Sequence, residues 1–125
     1  MPFELVHILE ENYVHIKVHG DFSANQYDTI MNQVVKNDEI SKHAHTLWDL
    51  REMDFTNIHK DFLTDILAHR KRYDAKRGKN TKAAIVANSD LGFGISRQYE
   101  ALSFEFSQKM QIFRTIDDAK SWLNE

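Results

Sequence analysis

The chain has 125 residues, 42% of them hydrophobic, a formal net charge of −3 and no cysteine. That suits one domain able to bury its own core, and it excludes disulfide frameworks, thiolate catalysis and thiolate metal sites. No apolar run nears the roughly eighteen residues of a membrane-spanning helix.

Glu4–Leu9 and Tyr13–His19 read as two strands joined by a tight turn at Glu11-Asn12. The second alternates Val14, Ile16 and Val18 against His15, Lys17 and His19, a half-buried pattern, and Gly20-Asp21 breaks it. Ser23-Ala24-Asn25-Gln26 has the spacing of a capping box. The helix behind it sets Tyr27, Ile30, Met31, Val34 and Val35 on one face and should end near Asn37. Thr46–Leu50 reads as a third, central strand. Asp54-Phe55-Thr56-Asn57 is a loop offering N-caps to a long helix, with Ile58, Phe62, Leu63, Ile66 and Leu67 turned inward and Gly78 at its end. Ala83–Ala87 is an apolar, buried strand, and Gly92–Arg97 is the glycine loop that hands it over to a helix carrying Ile95, Tyr99, Leu102 and Phe106 at helical spacing. Met110–Arg114 makes a fifth strand, and Thr115-Ile116-Asp117-Asp118 caps a last helix that buries Ala119, Trp122 and Leu123. The order ββαβαβαβα predicts a single α/β domain over residues 1–125. Its five-stranded sheet should be mixed but mostly parallel, with helices packed on it and the opening hairpin as an antiparallel edge.

The order and spacing of several segments is also familiar: Trp48-Asp49-Leu50-Arg51 with Asp54-Phe55, Ala84-Ile85-Val86, Gly92 through Glu100, and Phe113-Arg114 with Asp118-Ala119 and Trp122-Leu123. They resemble the STAS fold of anti-sigma-factor antagonists and anion-transporter tails. More closely, they resemble the STAS/SEC14-like (SpoIIAA-like) family of small bacterial proteins, over essentially the whole chain. The SEC14-like side of that resemblance implies a lipid or other apolar ligand, at a membrane surface in some members. The antagonist side implies an Asp-Ser pair between the third strand and the second helix, its serine phosphorylated by a partner kinase. Here that place reads Asp54-Phe55-Thr56-Asn57-Ile58, without serine or glycine. Thr56 is the only hydroxyl there, a candidate regulatory residue that is more simply an N-cap.

The glycine loop carries the candidate chemistry. Free N–H groups and the helix dipole favour an anion where a strand meets a helix, so Arg97 in that first turn needs an acidic partner, a bound anion or solvent. A dinucleotide site does not fit: Asn88-Ser89-Asp90-Leu91 intervenes before Gly92, Arg97 stands in the last glycine's place, and the next strand ends in Arg114. Asp49, Arg51 and Asp54 lie at or past the end of the central strand, and the loops after neighbouring parallel strands should open on one rim. The candidate ligand site is therefore Asp49, Arg51, Asp54, Phe93, Gly94, Ser96, Arg97 and Tyr99, between the second and third helices. Arg51 and Arg97 would hold a charged end, and Phe93 and Tyr99 would lie along an apolar part. The competing reading is a salt-bridge network tying the two loops, with Arg97 paired to Asp49, Asp54 or Glu100. An apolar cavity beneath the third helix would favour the ligand.

Other chemistries find no pattern. His15 and His19 stand four apart on a strand, roughly 13 Å, too far for one ion. His43 and His45 lack a third ligand, His59 and His69 are ten apart on a helix, and neither H-E-x-x-H nor G-x-S-x-G occurs. No metal, cofactor or catalytic residue is expected, and no enzyme activity. From His69 to Lys82 the chain carries +6 and the remainder −9. The basic residues from Arg70 to Lys82 are either a solvated helix end or a contact for a membrane surface or protein partner; nucleic acid is not expected. Phe93, Tyr99, Phe104 and Phe106 cannot share one helical face, since Phe104 and Phe106 would stand about 200° apart, so an aromatic should be left for a partner, a ligand or the rim. Met1-Pro2-Phe3-Glu4 lacks the regions of a signal peptide, so a cytoplasmic setting is expected, with membrane-peripheral attachment and homodimer formation left open. The leading expectation is a non-catalytic carrier or sensor of a small amphipathic or anionic, lipid-like ligand. The alternative is a protein–protein regulatory module that uses the rim at Thr56.

Overall fold

The computed structural model describes residues 3–8, 10–77 and 80–125. β1 (Phe3–Ile8) and β2 (Tyr13–Gly20) pair antiparallel across a turn in which Asn12 takes φ 55°, a left-handed conformation that asparagine tolerates. Leu9, expected at the end of the first strand, lies outside the described residues. α1 (Ala24–Lys36) starts on the expected capping box: Ser23 Oγ accepts the Gln26 N–H, and the Gln26 side chain accepts the Ser23 N–H. β3 (His45–Met53), α2 (Phe62–Asp74), β4 (Lys82–Val86), α3 (Asp90–Leu102), β5 (Lys109–Phe113) and α4 (Ile116–Leu123) complete the order ββαβαβαβα. The sheet runs β1-β2-β3-β4-β5, parallel from β2 to β5, with β3 central and the hairpin as the antiparallel edge.

Strand alternation divides the sheet into two faces. One presents Val14, Ile16 and Val18 from β2, Trp48 and Leu50 from β3, and Ile85 from β4. α1, α2 and α3 cover it, bringing Ile30, Val34, Phe62 and Ile95. The other presents Tyr13, Leu47, Ala84, Val86 and Phe113, and α4 covers it with Ala119 and Leu123. On this face the outward side chains of β2 pair with the end of β3. Lys17 and His19 both reach Glu52, at 3.0 and 3.1 Å.

Two boundaries depart from expectation. α3 begins at Asp90, so Gly92 and Gly94 lie inside its first turns and the glycine loop does not exist as a loop. Ser89 caps the helix, its Oγ accepting the Gly92 N–H at 3.0 Å. Glycine in a helix costs about 1 kcal/mol against alanine, and at Gly92 packing requires it: a Cβ there would lie 2.7 Å from the Phe55 ring. Nor do Asp54 and Thr56 cap α2. Asp54 caps a short 3-10 turn (Phe55–Asn57), accepting the Thr56 N–H at 2.9 Å and its hydroxyl at 2.6 Å. α2 starts later, at Phe62, behind Asp61, which makes no side-chain cap, and Ile58 precedes it. Gly78, expected to end this helix, lies outside the described residues.

Candidate functional site

The predicted site residues do not meet. Asp49 sits within β3 on the α4 face, one position out of phase with Trp48 and Leu50. Its side chain is 1% exposed and accepts a fork of two bonds from Arg51 Nε and NH2, each 2.9 Å, while His15 Nε2 lies at 3.2 Å. Burial alone would push the Asp49 carboxyl up, but hydrogen bonds from the Arg51 guanidinium and N–H and from His15 outweigh it and bring it down to about 2. Arg51 is thereby committed on the side of the sheet away from α3. Asp54 is committed to its 3-10 turn. The Phe93 ring lies under Arg114, whose guanidinium carbon is 4.3 Å from the ring centroid and which bonds Asp90 at 2.9 Å. Gly94 faces open space. Arg97, in the second turn of α3 and 62% exposed, pairs with Glu100 at 3.2 Å, the third of the partners expected for it. The two carboxyl-end loops do meet, through Gly92 against Phe55, and that contact is apolar packing. Of the predicted set, Ser96 and Tyr99 alone turn toward the space beneath α3.

That space is a cavity of about 70 Å³ between the helix-covered sheet face and α1, α2 and α3. Trp48, Leu50 and Ile85 form its floor, Met31 and Tyr27 its α1 wall, Phe62 and Ile66 its α2 wall, and Ile95, Ser96 and Tyr99 its α3 wall. Tyr27 stacks on Trp48 with centroids 5.5 Å apart, and the Phe22 ring meets both Trp48 and Phe62. Rigid aromatic packing of this kind holds a wall in place. The polar lining gathers toward the starts of the strands, where Thr46 and Met110 are second residues. Thr46 Oγ1 is buried there without a hydrogen-bond partner among the described residues. Arg70 and Gln108 stand beside it. The polar end is therefore opposite the carboxyl rim where the ligand was expected.

Arg70 is the residue that sequence reasoning placed wrongly. The charge pattern sets it in a basic segment read as a solvated helix end or a partner contact, yet it is only 4% exposed. Its partners are the Ser103 hydroxyl at 2.9 Å, the Tyr99 hydroxyl at 3.4 Å and the Gln108 carbonyl oxygen at 3.4 Å, all neutral. The guanidinium also lies over the Phe106 ring at 4.1 Å and the Tyr99 ring at 5.6 Å. Burying a charge costs several kcal/mol, against which one cation–π contact returns about 2 kcal/mol. No carboxylate among the described residues pairs with it. Burial pushes the Tyr99 hydroxyl up, outweighing Arg70, which pulls it down, so it keeps its proton near neutral pH. The signal for Arg70 was present in the spacing Leu63, Ile66, Arg70, Tyr73, an inward stripe of period three and four. Arg77, one further period along, is buried too, with its guanidinium bonded to the Ala44 carbonyl and Nε without a partner among the described residues. Phe104 is the aromatic left over, 81% exposed just past the end of α3.

A family model described as SpoIIAA-like matches residues 13–124. Among curated proteins no match is found. Solved structures similar in fold include the following three. One is an uncharacterized protein with a SpoIIAA-like fold from Shewanella loihica, 15% identical over 97% of this chain and 91% of that one, with a TM-score of 0.65. Another is an anti-sigma factor antagonist from Mycobacterium paratuberculosis, 17% identical over 98% and 95%, TM-score 0.64. The third is the anti-sigma factor antagonist SpoIIAA in its unphosphorylated form, 14% identical over 97% and 96%, TM-score 0.55. Among the described residues, no helix is long and apolar enough to cross a membrane, and no group of three or more histidine and acidic side chains gathers around a metal position.

Proposed function

The chain belongs to the SpoIIAA-like family, and from that premise we propose that it is a cytoplasmic binding module without catalysis of its own, carrying or sensing a small amphipathic ligand beneath α3. The observation that supports this is the cavity itself. An apolar space of about 70 Å³ lies among side chains that include the half-buried Trp48, Phe62 and Tyr99, a concave and largely apolar lining of the kind that takes small ligands. Ser96 and Tyr99 are the ligand contacts carried forward from the candidate set, joined by Trp48. Asp49, Arg51, Asp54, Phe93, Gly94 and Arg97 stand outside it, held by their own partners or facing solvent. Native mass spectrometry of freshly purified protein, alongside Trp48 emission, tests the reading. A co-purifying small molecule, or a Trp48 response absent from Trp48→Phe, is the expected result. Unliganded protein whose emission and melting temperature ignore a panel of small amphiphiles would overturn it.

A second reading draws on the two similar structures described as anti-sigma factor antagonists, a description that names a protein target. Here the same scaffold would work by protein contact at the rim between β3 and α2. Thr56 is exposed there, its hydroxyl bonded to Asp54. Thr56→Glu would then change partner capture while leaving ligand binding untouched, and the reverse pattern would favour the cavity. The basic stretch around α2's end and the exposed Phe104 would serve either reading as an outer contact.

A further inference from the structure

We propose that the ligand of this cavity is a small monocarboxylate, its carboxylate paired with Arg70 and its short apolar part against Trp48 and Ile95; this rests on the binding reading above. Arg70, Thr46 and Gln108 line one end of a mostly apolar cavity, so the space offers a ligand one charged end and one greasy end. The sign follows from the partners. Arg70 meets Ser103, Tyr99 and Gln108, which supply no negative charge. Tyr99 receives a bond from Arg70 through its oxygen, and its own proton is engaged by no group among the described residues, leaving a donor for an anionic oxygen. A guanidinium and a carboxylate match as planar forks, and a single cation in the lining matches a single negative charge better than a phosphate dianion.

Size narrows the class further. A cavity of about 150 Å³ holds benzene, and this one is about half as large. It admits a few carbon atoms, and neither a long acyl chain nor a two-chain lipid fits without moving the helices. One competing source of charge is close by: Asp74 lines the small cleft next to the cavity, together with Arg70 and Arg77, and its carboxylate accepts from Ser107 at 3.3 Å. If Asp74 were the true counter-ion, the cavity would need no anion.

The test compares propanoate, butanoate and dodecanoate with butanol and inorganic phosphate by calorimetry and Trp48 emission, using the whole chain. Butanoate is expected to bind at least tenfold more tightly than butanol, and dodecanoate and phosphate more weakly than butanoate. Arg70→Met should abolish the preference for butanoate over butanol, Arg70→Lys should restore part of it, and Asp74→Asn should leave it unchanged. Equal binding of butanoate and butanol, a preference that appears only in Asp74→Asn, or tightest binding by phosphate or dodecanoate overturns the small-monocarboxylate assignment and leaves the binding reading standing. Binding by none of the five, with unliganded protein on purification, overturns both. Should the Arg70 variants fail to fold, the wild-type comparison of acid with alcohol decides alone.

Discussion

Asp49 draws two side chains onto one carboxylate from which water is excluded, and its acidity follows from that geometry. Its folded pKa, about 2, lies below the ordinary 3.8, so the stabilisation is fully present above pH 4 to 5 and is lost as pH falls through about 2. Asp49→Asn should therefore cost on the order of 2 kcal/mol at neutral pH. The difference should shrink toward pH 2.5, as read from urea unfolding at both pH values; an equal difference at both would contradict the assignment. The two α3 glycines make a matched pair. Gly92→Ala drives a methyl into the Phe55 ring and should destabilise by about 1–3 kcal/mol. Gly94→Ala meets nothing within 4 Å and should stabilise by about 0.5–1 kcal/mol through helix propensity. Thermal unfolding should move in opposite directions for the two, and a shared direction would mean that Phe55 is not the cause.

Among the elements, local caps place α1 and α4, whereas α3, capped by Ser89 in the same way, is hidden by its glycines and α2 by cap residues that belong to another turn. α1 and α4 start on Ser23 and Thr115, whose side chains accept from the third residue onward, and both starts are legible because the cap is local. Ser23→Ala should lower stability by about 1 kcal/mol, whereas Asp61→Ala at α2, where no cap bond forms, should change urea unfolding little; matched losses would show that Asp61 caps in solution. α3 was misplaced because two glycines argue for a loop when read alone. Ser89 and the Phe55 contact override that local preference, and Phe55 is distant in sequence. α2 was read too early because Asp54 and Thr56 are good cap residues, and they spend their bonds on each other.

For the whole molecule, what matters is which sheet face a residue joins. Asp49 and Arg51 look adjacent to the ligand rim in a linear reading, but a strand turns alternate side chains to opposite faces, and these two went to the α4 side. Ser96 and Tyr99 reached the cavity because helical spacing carries them inward with Ile95. Arg70 is hidden by its neighbours: it is one of seven basic residues between His69 and Lys82, whose charge pattern points outward, while the apolar stripe running through that position points inward. The ligand experiments belong to this scale, because they read a space that three helices and a sheet enclose together.

The sequence by itself determined the order of elements, the mixed sheet with its antiparallel edge, and the likeness to SpoIIAA-like proteins. Period two, period three to four and local caps encode these within a few residues of where they act. Only the tertiary structure decided where the cavity lies, that Gly92 exists to admit Phe55, and that Arg70 is buried among neutral partners. Each of those depends on which side chains are brought together across the fold, and no spacing along the chain records the distance between two faces of a sheet.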